Sequence, residues 1–253
     1  MRTRALGLVV LLVFATGGAA DERRSGLAFM SPALRAMQED ETSNPGTLWV
    51  KDGEASWSAP AGDAKRSCAS CHGEAATAMR GVSARYPAYD ARLARPIDLA
   101  GRIESCRTRH QRAAPVARED ATLLALEAFV GAQSRGLSIA PPADKRLDPY
   151  RARGKATWQR RMGQLDLSCA DCHDGNAGRK LAGSVIPEGH PTGYPIYRLE
   201  WQSLGSFERR VRGCMAGVRA QPFAEDAVEQ VELELYLMQR AAGLAVETPA
   251  VRP

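Results

Sequence analysis

The sequence has only a small excess of charge and, after residue 20, no long apolar run. Its 34 Lys and Arg residues oppose 29 Asp and Glu residues, for a net charge of +5. So weak a positive balance does not indicate nucleic-acid binding. No later stretch approaches the roughly 20 apolar residues that a membrane-spanning helix needs. Histidine and cysteine are also scarce, at four and six residues, so any regular spacing among them is informative.

The first 20 residues have the pattern of a secretory signal peptide. A basic start at Arg2 and Arg4 precedes apolar residues 5–15, and small residues follow at positions 18–20. The apolar run is too short for a membrane anchor, and it ends at residues typical of signal cleavage. We therefore predict export of a chain with 32 basic and 29 acidic residues, a net charge of +3.

The most specific pattern is C-x-x-C-H, which occurs twice. In c-type cytochromes this spacing lets two thiols add to the haem vinyl groups, while the imidazole of the next residue binds the iron. A lone C-x-x-C also suits a zinc half-site or a thioredoxin-like pair, but zinc needs more Cys or His nearby. We predict two covalently bound haem c groups, held by Cys68, Cys71 and His72 and by Cys169, Cys172 and His173. Because covalent haem attachment follows export, the predicted compartment is a bacterial periplasm.

The two motifs belong to an internal duplication of roughly 95 residues. Gly53, Trp57 and the first motif return 101 residues later as Gly154, Trp158 and the second motif. Beyond the motif the offset becomes 108, because the second unit has a loop that is seven residues longer, and further along the chain the offset is 107. A unit of this size matches a small cytochrome c domain.

Within each unit the apolar spacing predicts three helical segments and no persistent strand. One segment precedes the haem motif, one runs through Cys106 or Cys214, and one closes the unit at residues 119–133 or 225–240. The predicted fold class is therefore mainly α, with two tandem cytochrome c-like domains related by internal duplication.

The composition also predicts the boundaries of these domains. Residues 140–149 are rich in proline and charge, as in a linker between domains. The predicted organisation is a signal peptide (1–20), an N-terminal extension (21–50), a first domain (51–140), a linker (141–150) and a second domain with the active site (151–253). The extension has no counterpart in the second unit, and it either wraps a domain or binds a partner.

The second axial ligand of each iron is predicted from the repeat. Cytochromes usually use Met or His there, but no Met or His recurs in register in both units. The ordinary candidates are Met79, Met162, Met215, His110 and His190. Cys106 and Cys214 do recur in register, and a duplicated unit tends to keep the role of each position, which favours thiolate ligation at both irons. A disulfide between these two cysteines is the alternative, and it would be normal in an exported protein.

Several arginines surround Cys214. Arg210 lies one helical turn before it, where a guanidinium could lower the thiol pKa and bind an oxyanion in bidentate fashion. Arg102 has the same relation to the cysteine of the first unit, so a haem propionate is the alternative ligand of such an arginine. Arg209 and Arg212 are interpreted as a solvated helix face. A thiolate ligand lowers the reduction potential of the iron, which favours sulfur chemistry over simple electron transfer.

These features resemble the SoxA family, the larger cytochrome subunits of SoxAX complexes. The resemblance rests on the paired motifs, the in-register cysteines and an Arg-Arg-x-x-x-Cys run that ends at Cys214, and it covers nearly the whole exported chain. It implies an L-cysteine S-thiosulfotransferase that joins thiosulfate oxidatively to a cysteine of the SoxYZ sulfur carrier. Electrons would leave through haem to the small cytochrome SoxX and then to a cytochrome c acceptor.

The same resemblance implies a role for each site residue. Cys214 would ligate the second haem, carry a persulfide and react, Arg210 would bind the anionic substrate, and Cys106 would ligate the first haem. Two other classes stay open. A periplasmic dihaem electron carrier needs no reactive sulfur, and a dihaem cytochrome peroxidase needs one iron open to peroxide and His or Met at the other.

Overall fold

Helices account for most of the regular structure in the computed structural model, which describes residues 23–253; the predicted signal peptide lies outside that range. The α-helices are α1 (Pro32–Glu39), α2 (Gly46–Ser58), α3 (Cys68–His72), α4 (Ala75–Ala78), α5 (Leu99–Cys106), α6 (Ala121–Ala132), α7 (Asp148–Gln159), α8 (Cys169–His173), α9 (Phe207–Gly217) and α10 (Val228–Arg240). The strands are β1 (Ala88–Asp90), β2 (Arg95–Ile97), β3 (Lys180–Leu181), β4 (Ser184–Val185), β5 (Ile196–Arg198), β6 (Ser203–Gly205) and β7 (Ala250–Arg252). The predicted mainly α fold class is confirmed.

In each unit the helix before the haem motif packs against the helix that closes the unit, α2 on α6 and α7 on α10. A glycine lies at each crossing. A Cβ on Gly53 would lie 2.1 Å from the carbonyl oxygen of Ala125, and one on Gly154 would lie 2.0 Å from that of Glu232. Because only glycine lets the backbones approach this closely, the duplicated glycines fix the helix packing of both units.

The helices that carry Cys106 and Cys214 begin at side-chain caps. The Asp98 carboxylate accepts a hydrogen bond from the Gly101 amide at 2.9 Å, at the start of α5. The Ser206 hydroxyl accepts one from the Arg209 amide at 3.0 Å, at the start of α9. Such caps satisfy amides that the first helical turn leaves unpaired. The predicted helices through both cysteines are confirmed.

The expectation that strands are absent is wrong. Two antiparallel hairpins at equivalent places, β1–β2 and β5–β6, precede α5 and α9. Each strand has only two or three residues, which is shorter than the run of about four to eight residues over which alternation identifies a strand. The hairpins matter for the site because each ends beside a cysteine-bearing helix.

The two units meet through equivalent segments that follow α6 and α10. Ser138 and Ala245 form a β-bridge. The Ile139 amide donates to the Leu244 carbonyl at 2.8 Å, and the Gly243 amide donates to the Ile139 carbonyl at 2.8 Å. Side chains from both units share one buried apolar cluster around this bridge. The duplicated units are therefore joined through their duplicated ends.

The N-terminal extension packs against the C-terminal strand of the second unit. The Gln38 side-chain oxygen accepts from the Val251 amide at 3.0 Å and from Arg252 Nη1 at 2.6 Å, and β7 lies parallel to β5. At the other predicted boundary, α7 already begins at Asp148, within the predicted linker. Across residues 23–253, no helix is both long and apolar enough to cross a membrane.

Candidate haem and thiol site

Each C-x-x-C-H motif forms a one-turn helix with a serine cap. The Ser67 hydroxyl accepts from the Ser70 amide at 3.0 Å, and the Ser168 hydroxyl accepts from the Asp171 amide at 3.0 Å. In the second motif the Asp171 carboxylate also accepts from the Ser168 amide at 2.8 Å, which completes a capping box. The caps stabilise a turn in which both thiols and the histidine belong to one short helix.

A buried tryptophan lies against the histidine of each motif. The ring centroids of Trp57 and His72 are 5.7 Å apart, and those of Trp158 and His173 are 5.5 Å apart. The indole of Trp158, in α7, donates to the carboxylate of Asp174 at the end of α8 at 2.9 Å, which links the two helices. The duplicated tryptophans therefore orient the two imidazoles. The sequence repeat alone gave these tryptophans no role.

The second histidine has a partner that the first lacks. His173 Nδ1 lies 2.7 Å from the carbonyl oxygen of Pro187, in the longer loop of the second unit. Because a carbonyl only accepts, Nδ1 carries the proton, and Nε2 of the neutral ring is left unprotonated. The His173 ring is also close enough to Cys214 to interact with its thiol. His72 makes no side-chain hydrogen bond to any residue between 23 and 253.

Each repeated cysteine lies with the motif of its own unit. All six cysteines are free thiols. Cys106 is close enough to Cys71 to interact electrostatically, and Cys214 is similarly close to Cys169. The structure thus gives Cys106 and Cys214 separate partners and does not join them in a disulfide.

The two repeated thiols differ in acidity. Burial raises the pKa of Cys106, and nearby Arg102 and Arg109 offset this only in part. Burial also acts on Cys214, but the hydrogen bond with His173 and the charges of Arg210 and Arg198 outweigh it, so the pKa of Cys214 is lowered.

This acidity is specific to Cys214 within the second unit, since burial raises the pKa of Cys169 to about 11. A thiol with a lowered pKa is a competent nucleophile and metal ligand.

The donor set fits covalent haem c in each unit. Two unpaired thiols and a histidine lie on one short helix, with a further thiol on the next cysteine-bearing helix. Within residues 23–253, no three His, Cys, Asp or Glu side chains form a cluster that could hold a metal ion by themselves, as a zinc site would need.

The other sulfur and imidazole candidates are placed elsewhere. Met79 packs in the core cluster of Trp57, and Met215 is buried. His190 is also buried, and its Nδ1 lies 2.9 Å from the Arg24 carbonyl oxygen. Met162 lines a shallow surface crevice, and His110 is exposed.

The arginines near Cys214 separate into two kinds. Arg209 lies 3.8 Å from Glu119 and Arg212 lies 3.7 Å from Glu225, and both side chains are about two-fifths exposed. Arg210 is half-buried, and within residues 23–253 its side chain has no carboxylate within 4 Å.

Arg198, which sequence reasoning did not single out, is also buried near Cys214. Its signal in the sequence is a reversal of charge: the equivalent residue of the first unit, 108 positions earlier, is Asp90.

Comparison with known proteins identifies the family. A model of the SoxA/TsdA cytochrome c domain matches residues 52–139 and again residues 153–246. The chain belongs to this family. The SoxA subunit of L-cysteine S-thiosulfotransferase from Pseudaminobacter salicylatoxidans is 36% identical over 233 residues, which cover 92% of this chain and 82% of that protein. The Rhodovulum sulfidophilum subunit is 34% identical over 232 residues, covering 92% and 81%.

A solved structure agrees with this relationship. The crystal structure of SoxXA from P. pantotrophus matches with a TM-score of 0.87 and 30% identity, covering 91% of this chain and 87% of that one. As a SoxA/TsdA-family cytochrome, the chain binds c-type haem covalently in tandem cytochrome c-like domains. The predicted enzyme class is confirmed at the level of the family, since these SoxA relatives are named L-cysteine S-thiosulfotransferase subunits.

Proposed function

We propose that this chain is the SoxA subunit of a periplasmic L-cysteine S-thiosulfotransferase that conjugates thiosulfate to a cysteine of a SoxYZ carrier. The observations that carry the proposal are the family match over both units and the position of Cys214 beside His173 and Arg210 of the second unit. Two haems c are assigned, one to each motif. His72 and Cys106 would ligate the first iron, and His173 and Cys214 the second.

The overall reaction is an oxidation of sulfur. A carrier thiolate and the terminal sulfur of thiosulfate form one S–S bond and release two electrons. Bound haem c supplies one-electron acceptance, so the two electrons leave singly towards the partner cytochrome SoxX and a soluble cytochrome c. The match to the crystal structure of SoxXA supports the assignment of SoxX as the partner.

Cys214 divides this reaction into two steps. First, its thiolate and thiosulfate form a Cys214–S–SO₃⁻ adduct through the terminal sulfur of thiosulfate, and two electrons leave. Second, the carrier thiolate attacks that terminal sulfur, the bond to Cys214 breaks, and the Cys214 thiolate is regenerated. If Cys214 carries a persulfide, as the resemblance implies, the outer sulfur of that persulfide replaces the Cys214 sulfur in both steps.

The surrounding residues act on charge and orientation. Arg210 has no competing carboxylate, so its guanidinium is available to the oxyanion of thiosulfate. The Pro187 carbonyl holds the His173 ring in one orientation, as partners of metal-binding histidines commonly do. In the first unit Arg102 is paired with Asp90, which supports a role for that haem in electron transfer without a bound oxyanion.

The experiment combines the haem protein with SoxX and a SoxYZ carrier. Sustained haem reduction by thiosulfate should require the carrier thiol, with at most one turnover in its absence, and intact mass should show two haem additions. Low-spin thiolate-ligated spectra at both sites are expected, in contrast to a peroxidase. Haem reduction that needs neither thiosulfate nor carrier would instead indicate a simple electron carrier.

A further inference from the structure

One position near the repeated cysteine carries opposite charges in the two units. It is an aspartate that neutralises an arginine in the first unit, and it is an arginine in the second. In the first unit Arg102, one turn before the cysteine, forms an ion pair with Asp90 at 2.7 Å. In the second unit Arg210 lies one turn before the cysteine, but the residue in the place of Asp90 is Arg198. Asp90 ends β1 and Arg198 ends β5 in hairpins of the same register. The carboxylate that pairs with the arginine in the first unit is therefore replaced by a second cation in the second unit.

The Arg198 guanidinium is buried without a full set of partners. The residue is 6% exposed, and its buried Nε has no hydrogen-bond partner among residues 23–253. Nη2 lies 3.0 Å from Glu200, whose side chain is 54% exposed, and the guanidinium lies over Trp201 at 5.2 Å. A buried cation with an unpaired donor lowers stability unless an anion binds to it.

Arg198 and Arg210 act on the same small region. Burial and the positive charge of Arg210 lower the pKa of Arg198. Both guanidinium groups are also close enough to Cys214 to interact with it electrostatically. The two cations and the thiol are therefore electrostatic neighbours, and the carboxylate that would neutralise the pair is absent from the Asp90-equivalent position.

We propose that Arg198 and Arg210 together bind the sulfonate group of thiosulfate and direct its terminal sulfur towards Cys214. This inference rests on the proposed function and names a second anion-binding residue for it. A sulfonate has three acceptor oxygens, which suit the donors of two guanidinium groups. The first unit has no equivalent site because the Arg102 guanidinium is already paired with the Asp90 carboxylate.

A haem propionate is the other anion with this chemistry, and the test separates the two sources. The variants Arg198→Gln and Arg198→Asp are compared with the wild type in the complete complex at fixed ionic strength. Arg198→Asp recreates the ion pair of the first unit, so its fold has a precedent within the chain. Arg212→Gln removes one positive charge two residues from Cys214 and serves as the matched control.

Loss of charge-assisted hydrogen bonds predicts that both Arg198 variants raise the KM for thiosulfate about 10-fold or more, while Arg212→Gln changes it less than twofold. Calorimetry of thiosulfate binding without the carrier should show the same weakening, with the low-spin haem spectrum retained. An equal effect of Arg212→Gln would mean that only general charge matters. A shifted potential with unchanged thiosulfate binding would assign Arg198 to a propionate, and either result would overturn the inference.

The binding measurement does not depend on turnover. The wild type could bind thiosulfate in a way that depends on Arg198 and yet fail to transfer it to the carrier. That result would refute the proposed function and support the anion site. Transfer by the wild type that Arg198→Gln leaves unchanged would refute only the anion site.

Discussion

At the residue scale, two cysteines at duplicated positions have opposite pKa shifts. Burial acts on both, yet the pKa of Cys106 is raised and that of Cys214 is lowered. The difference comes from the neighbours. At Cys214 the lowering comes first from His173 and then from Arg210 and Arg198, whereas Arg102 near the first thiol is paired with Asp90. Two equivalent thiols therefore differ in acidity.

The bidentate hydrogen-bonding geometry of the Arg210 guanidinium should contribute to the rate with thiosulfate in addition to its charge. Arg210→Lys keeps the charge but loses bidentate geometry, so kcat/KM for thiosulfate should fall about 10-fold or more. Steady-state rates of thiosulfate-dependent haem reduction test this. Arg209→Lys, on the same helix but beside Glu119, is the control and should stay near the wild-type rate. An unchanged rate in Arg210→Lys would show that charge alone is sufficient.

Most residues of the candidate site could be predicted from the sequence, because motif spacing and the repeat act over short distances along the chain. Both haem motifs, Cys214 and Arg210 were found in this way. Pro187 and Arg198 were missed, since their roles depend on contacts made by the fold. Pro187 lies in a loop without a counterpart, and Arg198 belongs to a strand too short to recognise.

At the element scale, the close crossing of α7 and α10 sets the frame of the second site. α7 carries Trp158, which orients His173, and α10 carries Arg240, which lies 2.7 Å from Asp174. Helical periodicity predicted both helices, because apolar residues recur on one face over several turns. The short hairpins give no such signal, and their pairing is set by tertiary contacts.

The helix crossing predicts a specific loss of stability. A Cβ on residue 154 would lie 2.0 Å from the Glu232 carbonyl oxygen, so Gly154→Ala must separate the two backbones. Overpacking of this kind should lower the free energy of unfolding by about 1–3 kcal/mol. Urea denaturation of the haem-loaded protein measures it. Gly183→Ala, where a Cβ would meet nothing within 4 Å, should be close to neutral; equal losses in both variants would contradict this account.

At the scale of the whole molecule, the two units bury charged groups where they meet. Arg118 of the first unit lies 2.9 Å from Asp98 of the same unit and 3.3 Å from Glu208 of the second. Burial raises the pKa of Glu127 to about 8, and it also raises that of Glu234, which lies 107 residues later in the repeat. The packing of one unit on the other therefore favours the protonated form of both carboxyl groups, which no local sequence pattern indicates.

This arrangement predicts that stability depends on pH. The folded chain keeps a proton on Glu127 between its ordinary pKa of 4.5 and the raised value of about 8, whereas the unfolded chain releases it. The free energy of unfolding should therefore fall as pH rises through this range, and the contribution should be lost above pH 8. Glu127→Gln stays neutral, so it should be more stable than the wild type by about 1–3 kcal/mol at pH 8 and similar to it near pH 4.5.

Urea denaturation of the haem-loaded protein at several pH values measures this difference. The exposed Glu54→Gln is the control, since its side chain faces solvent on α2. A Glu127→Gln variant whose stability follows the wild type at every pH would show that Glu127 is ionised in the folded protein.

The central claim is that the Cys214 thiol, and not its duplicate Cys106, carries the sulfur chemistry. The most direct test measures thiosulfate-dependent haem reduction, with SoxX and the SoxYZ carrier present, in Cys214→Ala and Cys106→Ala. Cys214→Ala should abolish transfer of thiosulfate to the carrier, while Cys106→Ala should keep transfer and alter only the spectrum of the first haem and the rate of electron exit. Full transfer by Cys214→Ala would contradict the account.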